Sequence, residues 1–125
     1  AALAFVFTTT PQPASAITSL TAYGLAFNMD TDAPKIFATD ATYTESAWSF
    51  MTPPDETNLG TLKGRGAKLM VYHGTSDPVF SSDDTTDWYQ RLSAANGGDA
   101  SNFARFYPVP GMNHCAGGPT ADQFD

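Results

Sequence analysis

Two short segments of this chain carry the residue types that acid–base catalysis needs. Asp77 stands in His73-Gly74-Thr75-Ser76-Asp77-Pro78, and His114 in Pro110-Gly111-Met112-Asn113-His114-Cys115. A histidine takes a proton from a nucleophile efficiently only when it is held in one tautomer. A carboxylate that accepts its Nδ1 hydrogen does this, and also stabilises the imidazolium that forms. Asp77 can serve His114 in this way if the fold brings them together, with Pro78 and Gly111 fixing the backbone of the two segments. Each residue alone has an ordinary structural explanation. Asp-Pro is common turn chemistry, and a lone histidine is most often a hydrogen-bonded structural residue. His73, at the tip of an apolar run, reads as a packing residue. His73, Asp77, His114 and Cys115 taken together lack the close spacing of a zinc site, such as His-x3-His or Cys-x2-Cys, so no metal is expected. None of the nine serines lies in the G-x-S-x-G context of a nucleophile elbow, and Ser76 shares a loop with Asp77 and cannot also occupy a separate elbow. No nucleophile is therefore assigned within these residues, and no cofactor is called for.

The elements that must position these residues are legible around them. Ala67 to His73 contains the unbroken apolar run Leu69, Met70, Val71, Tyr72, the pattern of a strand buried on both faces of a parallel sheet, and Gly74 ends it. From about Asp83 to Ala95, Trp88, Leu92 and Ala95 recur at i, i+4 and i+7, with Asp87 and Arg91 one turn apart outside, which predicts an amphipathic helix. Ser81 or Ser82 can cap its start, and Asn96-Gly97-Gly98 supplies its stop. Phe103 to Val109 reads as a second strand. Strand, loop, helix and strand within this span predict an α/β arrangement, a right-handed βαβ crossover on a parallel sheet. Both candidate residues then fall on loops leaving the carboxyl ends of neighbouring strands, where α/β folds gather their chemistry. The first ~58 residues, rich in Thr, Ala, Pro and Asp, show little sustained periodicity and read as irregular structure with short helical pieces, one over Thr18 to Met29. Pro53-Pro54-Asp55 reads as a turn or connector.

Composition removes several functions. Six basic residues against thirteen acidic ones leave a net charge of −7, and no stretch gathers Lys and Arg. Neither nucleic acid nor an anionic membrane surface is an expected partner, since both draw on clustered positive charge. No apolar run reaches the ~18 residues of a membrane-spanning helix. The opening Ala1 to Phe7 is apolar and Ala14-Ser15-Ala16 resembles a signal-peptidase site, but no initiator Met or basic segment precedes them, so a start within a longer protein is expected. Hydrophobic residues at 42% and aromatics at 13% are ample for a packed core. Cys115 is the single cysteine and has no internal disulfide partner.

An acid after one strand and a histidine after the next is the order in which α/β-hydrolases deliver the last two members of a Ser-Asp-His triad. At these residues the chain resembles the tannase and feruloyl esterase family. The resemblance is carried by Leu59 to His73 (LGTLKGRGAKLMVYH), Gly74 to Ser82 (GTSDPVFSS), the helix around Asp87-Trp88-Tyr89, and above all Phe106 to Asp125 (FYPVPGMNHCAGGPTADQFD). It implies the C-terminal part of a serine ester hydrolase acting on esters of aromatic acids, a partial α/β-hydrolase fold in which residues 59–125 form the core portion and residues 1–58 an irregular segment of the parent. Asp77 then matches the acid, His114 the base, and Cys115 a cysteine that the family joins by disulfide to one preceding the nucleophilic serine. The serine, its cysteine, the oxyanion-hole loop and the lid have no counterpart in these residues, so the remainder of the hydrolase is the implied partner and the segment alone is expected to be inactive. A secreted or periplasmic location is implied as well, since a disulfide needs an oxidising compartment. A non-catalytic binding module of hydrolase ancestry is the alternative from another class.

Overall fold

The computed structural model describes residues 2–114 and 117–118. Contacts divide the chain into two units, Ala1–Pro54 and Asp55–Asp125. The first holds three short helices, α1 (Ala2–Phe5), α2 (Leu20–Ala26) and α3 (Ala47–Met51), with single 3-10 turns at Ala14–Ala16 and Ala33–Ile36. Side chains start and stop these elements. Ser19 Oγ accepts from the Ala22 N–H at 3.2 Å and Ser46 Oγ from the Ser49 N–H at 3.0 Å, each satisfying a helix-start amide. The helix expected over Thr18–Met29 ends early, at Phe27, whose backbone is already extended. Just beyond, Asn28 Oδ1 takes the N–H groups of Asp30 and Thr31, offering them an alternative to helical bonding.

In the second unit, α4 (Gly60–Gly64) leads into strand β1 (Leu69–Gly74), helix α5 (Ser82–Ala95) and strand β2 (Ala104–Val109). The strands pair in parallel, Leu69 opposite Ala104 through Gly74 opposite Val109, and α5 is the crossover between them. The unit is thus mixed helix and parallel sheet, of α/β character. Ser81, rather than Ser82, caps α5, its Oγ accepting the Asp83 N–H at 3.1 Å. At the other end the Gly98 N–H donates to Ser93 O at 2.9 Å and the Gly97 N–H to Ala94 O at 3.3 Å, the paired bonds that close a helix with a left-handed residue. Leu92, Ala100, Phe103 and Ala104 are buried together, with Leu59, Leu62, Leu69, Trp88 and Tyr89 packed against them. Arg91 pairs with Asp87 at 2.8 Å and also with Glu56, whose backbone carbonyl accepts the Trp88 indole N–H at 3.1 Å.

Two expectations are corrected here. β1 is not buried on both faces: Leu69, Val71 and His73 lie on the covered side, whereas Met70 and Tyr72 on the other are 52% and 48% exposed. Side chains alternate across a strand, and α5 covers only one side of the sheet. Ala95 is exposed although Leu92, in the same predicted stripe, is fully buried. Ala95 is the final residue of α5, next to its Gly97-Gly98 stop.

Candidate active site

Asp77 and His114 lie beyond the carboxyl ends of β1 and β2. Parallel pairing sets the two exits side by side, and the loops are then joined directly. The Thr75 N–H donates to Val109 O at 3.0 Å, the Ser76 N–H to Met112 O at 3.1 Å, and the Gly111 N–H to Thr75 Oγ1 at 3.0 Å. Gly74 makes this approach possible. A Cβ at that position would stand 2.1 Å from Met112 O and 2.9 Å from Asn113 O, closer than real atoms come. Gly111 turns the second loop with φ 73°, a left-handed conformation that costs glycine nothing. Met112, 5% exposed, anchors this loop.

Asp77 and His114 meet across that seam, Asp77 Oδ2 lying 2.8 Å from His114 Nδ1. Asp77 is nearly inaccessible, its side chain 5% exposed, while that of His114 is 41% exposed. Oδ1 accepts the backbone N–H groups of Val79 and Phe80 at 2.7 and 3.1 Å, the usual way an aspartate folds its own loop around itself. Burial works to raise the Asp77 pKa, but the bond from His114, those from the Val79 and Phe80 amides, and one from His73 outweigh it and hold the carboxyl well below the usual carboxylate range. Because folding lowers this pKa, the resulting stabilisation is present above the ordinary carboxyl value near ~4 and is lost as pH falls below it toward the folded value. With Nδ1 on the carboxylate, His114 has Nε2 left to exchange a proton with a reacting group. The Phe80 ring stands 5.5 Å from the His114 ring, tilted at 55°.

His73 differs from its expected role. Its Nε2 is 3.1 Å from Asp77 Oδ2 and its Nδ1 is 2.7 Å from Thr85 Oγ1, in the first turns of α5, so it is a hydrogen-bonded partner of the acid and not a packing residue. A signal for this existed in the sequence: His73 follows Leu69 and Val71 at period two, which places a polar ring on the covered face, where it must find partners. Cys115 lies outside the described residues. Tyr72, His73, Gly74, Asp77, Phe80, Met112 and His114 line a cavity of about 260 Å³. A larger cavity, about 470 Å³, in the Ala1–Pro54 unit is lined mainly by apolar and hydroxyl side chains, Phe5, Pro11, Phe50 and Thr8 among them, with Glu45 as its one carboxylate and no imidazole or thiol. The smaller one is lined by Asp77, His114 and His73. Among the described residues no group of three or more His, Cys, Asp or Glu side chains is placed to hold a metal ion, and no helix is long and apolar enough to cross a membrane.

Comparison with known proteins bears on this geometry. A family model described as tannase and feruloyl esterase matches residues 17–125. Mono(2-hydroxyethyl) terephthalate hydrolase of Piscinibacter sakaiensis is 46% identical over 121 residues, 95% of this chain and 19% of the relative. Feruloyl esterase B of Aspergillus niger is 40% identical over 67 residues, covering 51% of this chain and 13% of its own. A probable feruloyl esterase B-2 of Neosartorya fischeri is 31% identical over 113 residues, 88% of this chain and 22% of the relative. The chain thus spans about a fifth of the length of these curated relatives, or less.

Proposed function

This chain belongs to the tannase and feruloyl esterase family, and we propose from that premise that it forms the part of a serine carboxylic ester hydrolase that carries the acid and the base. The observation that carries the reading is the 2.8 Å contact between Asp77 and His114 across loops leaving two adjacent parallel strands. In this reading His114 Nε2 accepts the proton of the serine hydroxyl as the serine attacks the ester carbonyl, and returns it to the departing alcohol. Asp77 holds the ring in the tautomer that leaves Nε2 free, and its low pKa keeps it an acceptor throughout. The serine comes from the remainder of the hydrolase, as does a cysteine beside it that pairs with Cys115. Such a bridge implies folding in an oxidising compartment, a secreted or periplasmic one. The core is read as the C-terminal portion of an α/β-hydrolase sheet. Esters of aromatic acids are the proposed substrates, in keeping with the names of the relatives and with an aromatic side chain, Phe80, beside the histidine.

The test is hydrolysis of methyl ferulate and mono(2-hydroxyethyl) terephthalate by the complete hydrolase that contains these residues. His114→Ala and Asp77→Asn should each reduce kcat by about 10⁴-fold or more, with little change in folding. Turnover that survives both substitutions would place the chemistry elsewhere.

A further inference from the structure

We propose that His73 is a positioning residue of this site: held by Thr85, its ring donates a second imidazole hydrogen bond to Asp77 and fixes the carboxylate that orients His114. The inference rests on the reading of Asp77 and His114 as acid and base. A carboxylate that must orient a histidine has to be fixed by something other than that histidine. Oδ1 is fixed by the Val79 and Phe80 amides, both belonging to the aspartate's own loop. Oδ2 is reached by two rings, His114 at 2.8 Å and His73 at 3.1 Å. Without His73, the oxygen that holds His114 would have no other side-chain donor among the described residues, and the carboxylate would be held only through Oδ1, by two amides of its own loop.

His73 is itself well anchored. Its side chain is 16% exposed, it projects from β1 on the side covered by α5, and both ring nitrogens are engaged. The ionised Asp77 can only accept, so the His73 hydrogen sits on Nε2. In the neutral ring Nδ1 is then an acceptor, to which the Thr85 hydroxyl, 2.7 Å away, donates. The result is a directed chain of hydrogen bonds, Thr85 hydroxyl to His73 to Asp77, with His114 arriving at the same oxygen. Chemistry also explains why this donor is an imidazole. A lysine or arginine would place a fixed positive charge beside the imidazolium that His114 must form, and would oppose it. A histidine in this tautomer donates without a charge.

Two measurements decide the matter. In ring ¹⁵N spectra of the labelled complete hydrolase, the His73 signals are identified by comparison with His73→Gln. The expected result is a single His73 tautomer with hydrogen on Nε2, which becomes a tautomer mixture in Thr85→Val. A His73 ring with hydrogen on Nδ1, or freely exchanging in the wild-type chain, overturns the proposal. In the complete hydrolase, His73→Ala should lower kcat by about 10- to 100-fold, the worth of one hydrogen bond to a charged group, with KM within about twofold of wild type. His73→Gln should recover most of that loss, because its amide NH₂ can reach Asp77 and its carbonyl can face Thr85. A residue that merely fills space would lower thermal stability without changing kcat, and Gln would do no better than Ala. Should wild-type protein lack esterase activity, the acid–base reading fails while the spectra still judge His73. Should Asp77→Asn and His114→Ala inactivate while His73→Ala turns over normally, only the present inference fails. If His73→Ala does not fold, Thr85→Val and His73→Gln decide by the same kcat comparison.

Discussion

The two units of this chain hold their backbones by different means. In Ala1–Pro54 much of the order is local: Ser19 and Ser46 cap helices of seven and five residues, and Asp40 accepts the N–H groups of Thr42 and Tyr43 at 2.8 and 2.7 Å, while the Thr9 N–H to Lys35 O and Thr10 hydroxyl to Asp40 bonds join more distant residues. Large apolar side chains there stay in the open, Leu25 at 85% and Phe50 at 79% exposure. In Asp55–Asp125 a 14-residue helix lies on a parallel strand pair, and Leu92 is completely buried among residues that follow it or precede it by many positions. Hydrogen bonds between near neighbours define a turn, but they cannot bring Asp77 to His114. Burial of distant segments against one another does that, and the candidate chemistry is found in the unit that has it.

Stability measurements test this contrast. Leu92→Ala should cost the most, about 2 to 5 kcal/mol, since it empties a fully buried site, and urea unfolding followed by Trp fluorescence would read it. Next comes Gly74→Ala, at about 1 to 3 kcal/mol, because its methyl group would meet the Met112 carbonyl and backbone must move to admit it. Amide shifts of Thr75 to Asn113 should show the two loops parting, and unchanged shifts would mean that the seam is softer than its geometry suggests. Ser81→Ala and Ser46→Ala each remove one cap, with about 1 kcal/mol expected for each. If Ser46→Ala proves as costly as Leu92→Ala, the first unit depends on more than local bonds. Leu25→Ala, at an exposed position, should fall within about 0.5 kcal/mol of wild type.

The sequence was most readable where periodicity and end signals coincide. The stripe of α5, its serine cap and its glycine stop fix that helix within a residue, and the apolar run through Leu69 marks β1. Asp77 and His114 were placed at strand exits by topology alone. What escaped were matters of coverage. An unbroken run Leu-Met-Val-Tyr cannot say whether one face of a strand or both will be covered, since alternation is not visible in it. The short α4 was missed because Gly60-Thr61-Leu62-Lys63-Gly64 has too few positions to show a helical period, and its Leu62 is held by the core and not by propensity. For His73, the period-two placement implies that the ring needs partners, but which ones, Thr85 on α5 and Asp77 on the loop, is set by the fold.

The parallel pairing of β1 and β2 also fixes when the site can exist. Two antiparallel strands may meet through a tight hairpin, but these two cannot touch until all of α5 has been made and has crossed over. Asp77 and His114, 37 residues apart in sequence, are therefore a contact of high separation, formed late because the entropy of the intervening chain must first be overcome. During synthesis the acid leaves the ribosome well before its histidine. A chain cut off before β2 accordingly carries no oriented imidazole.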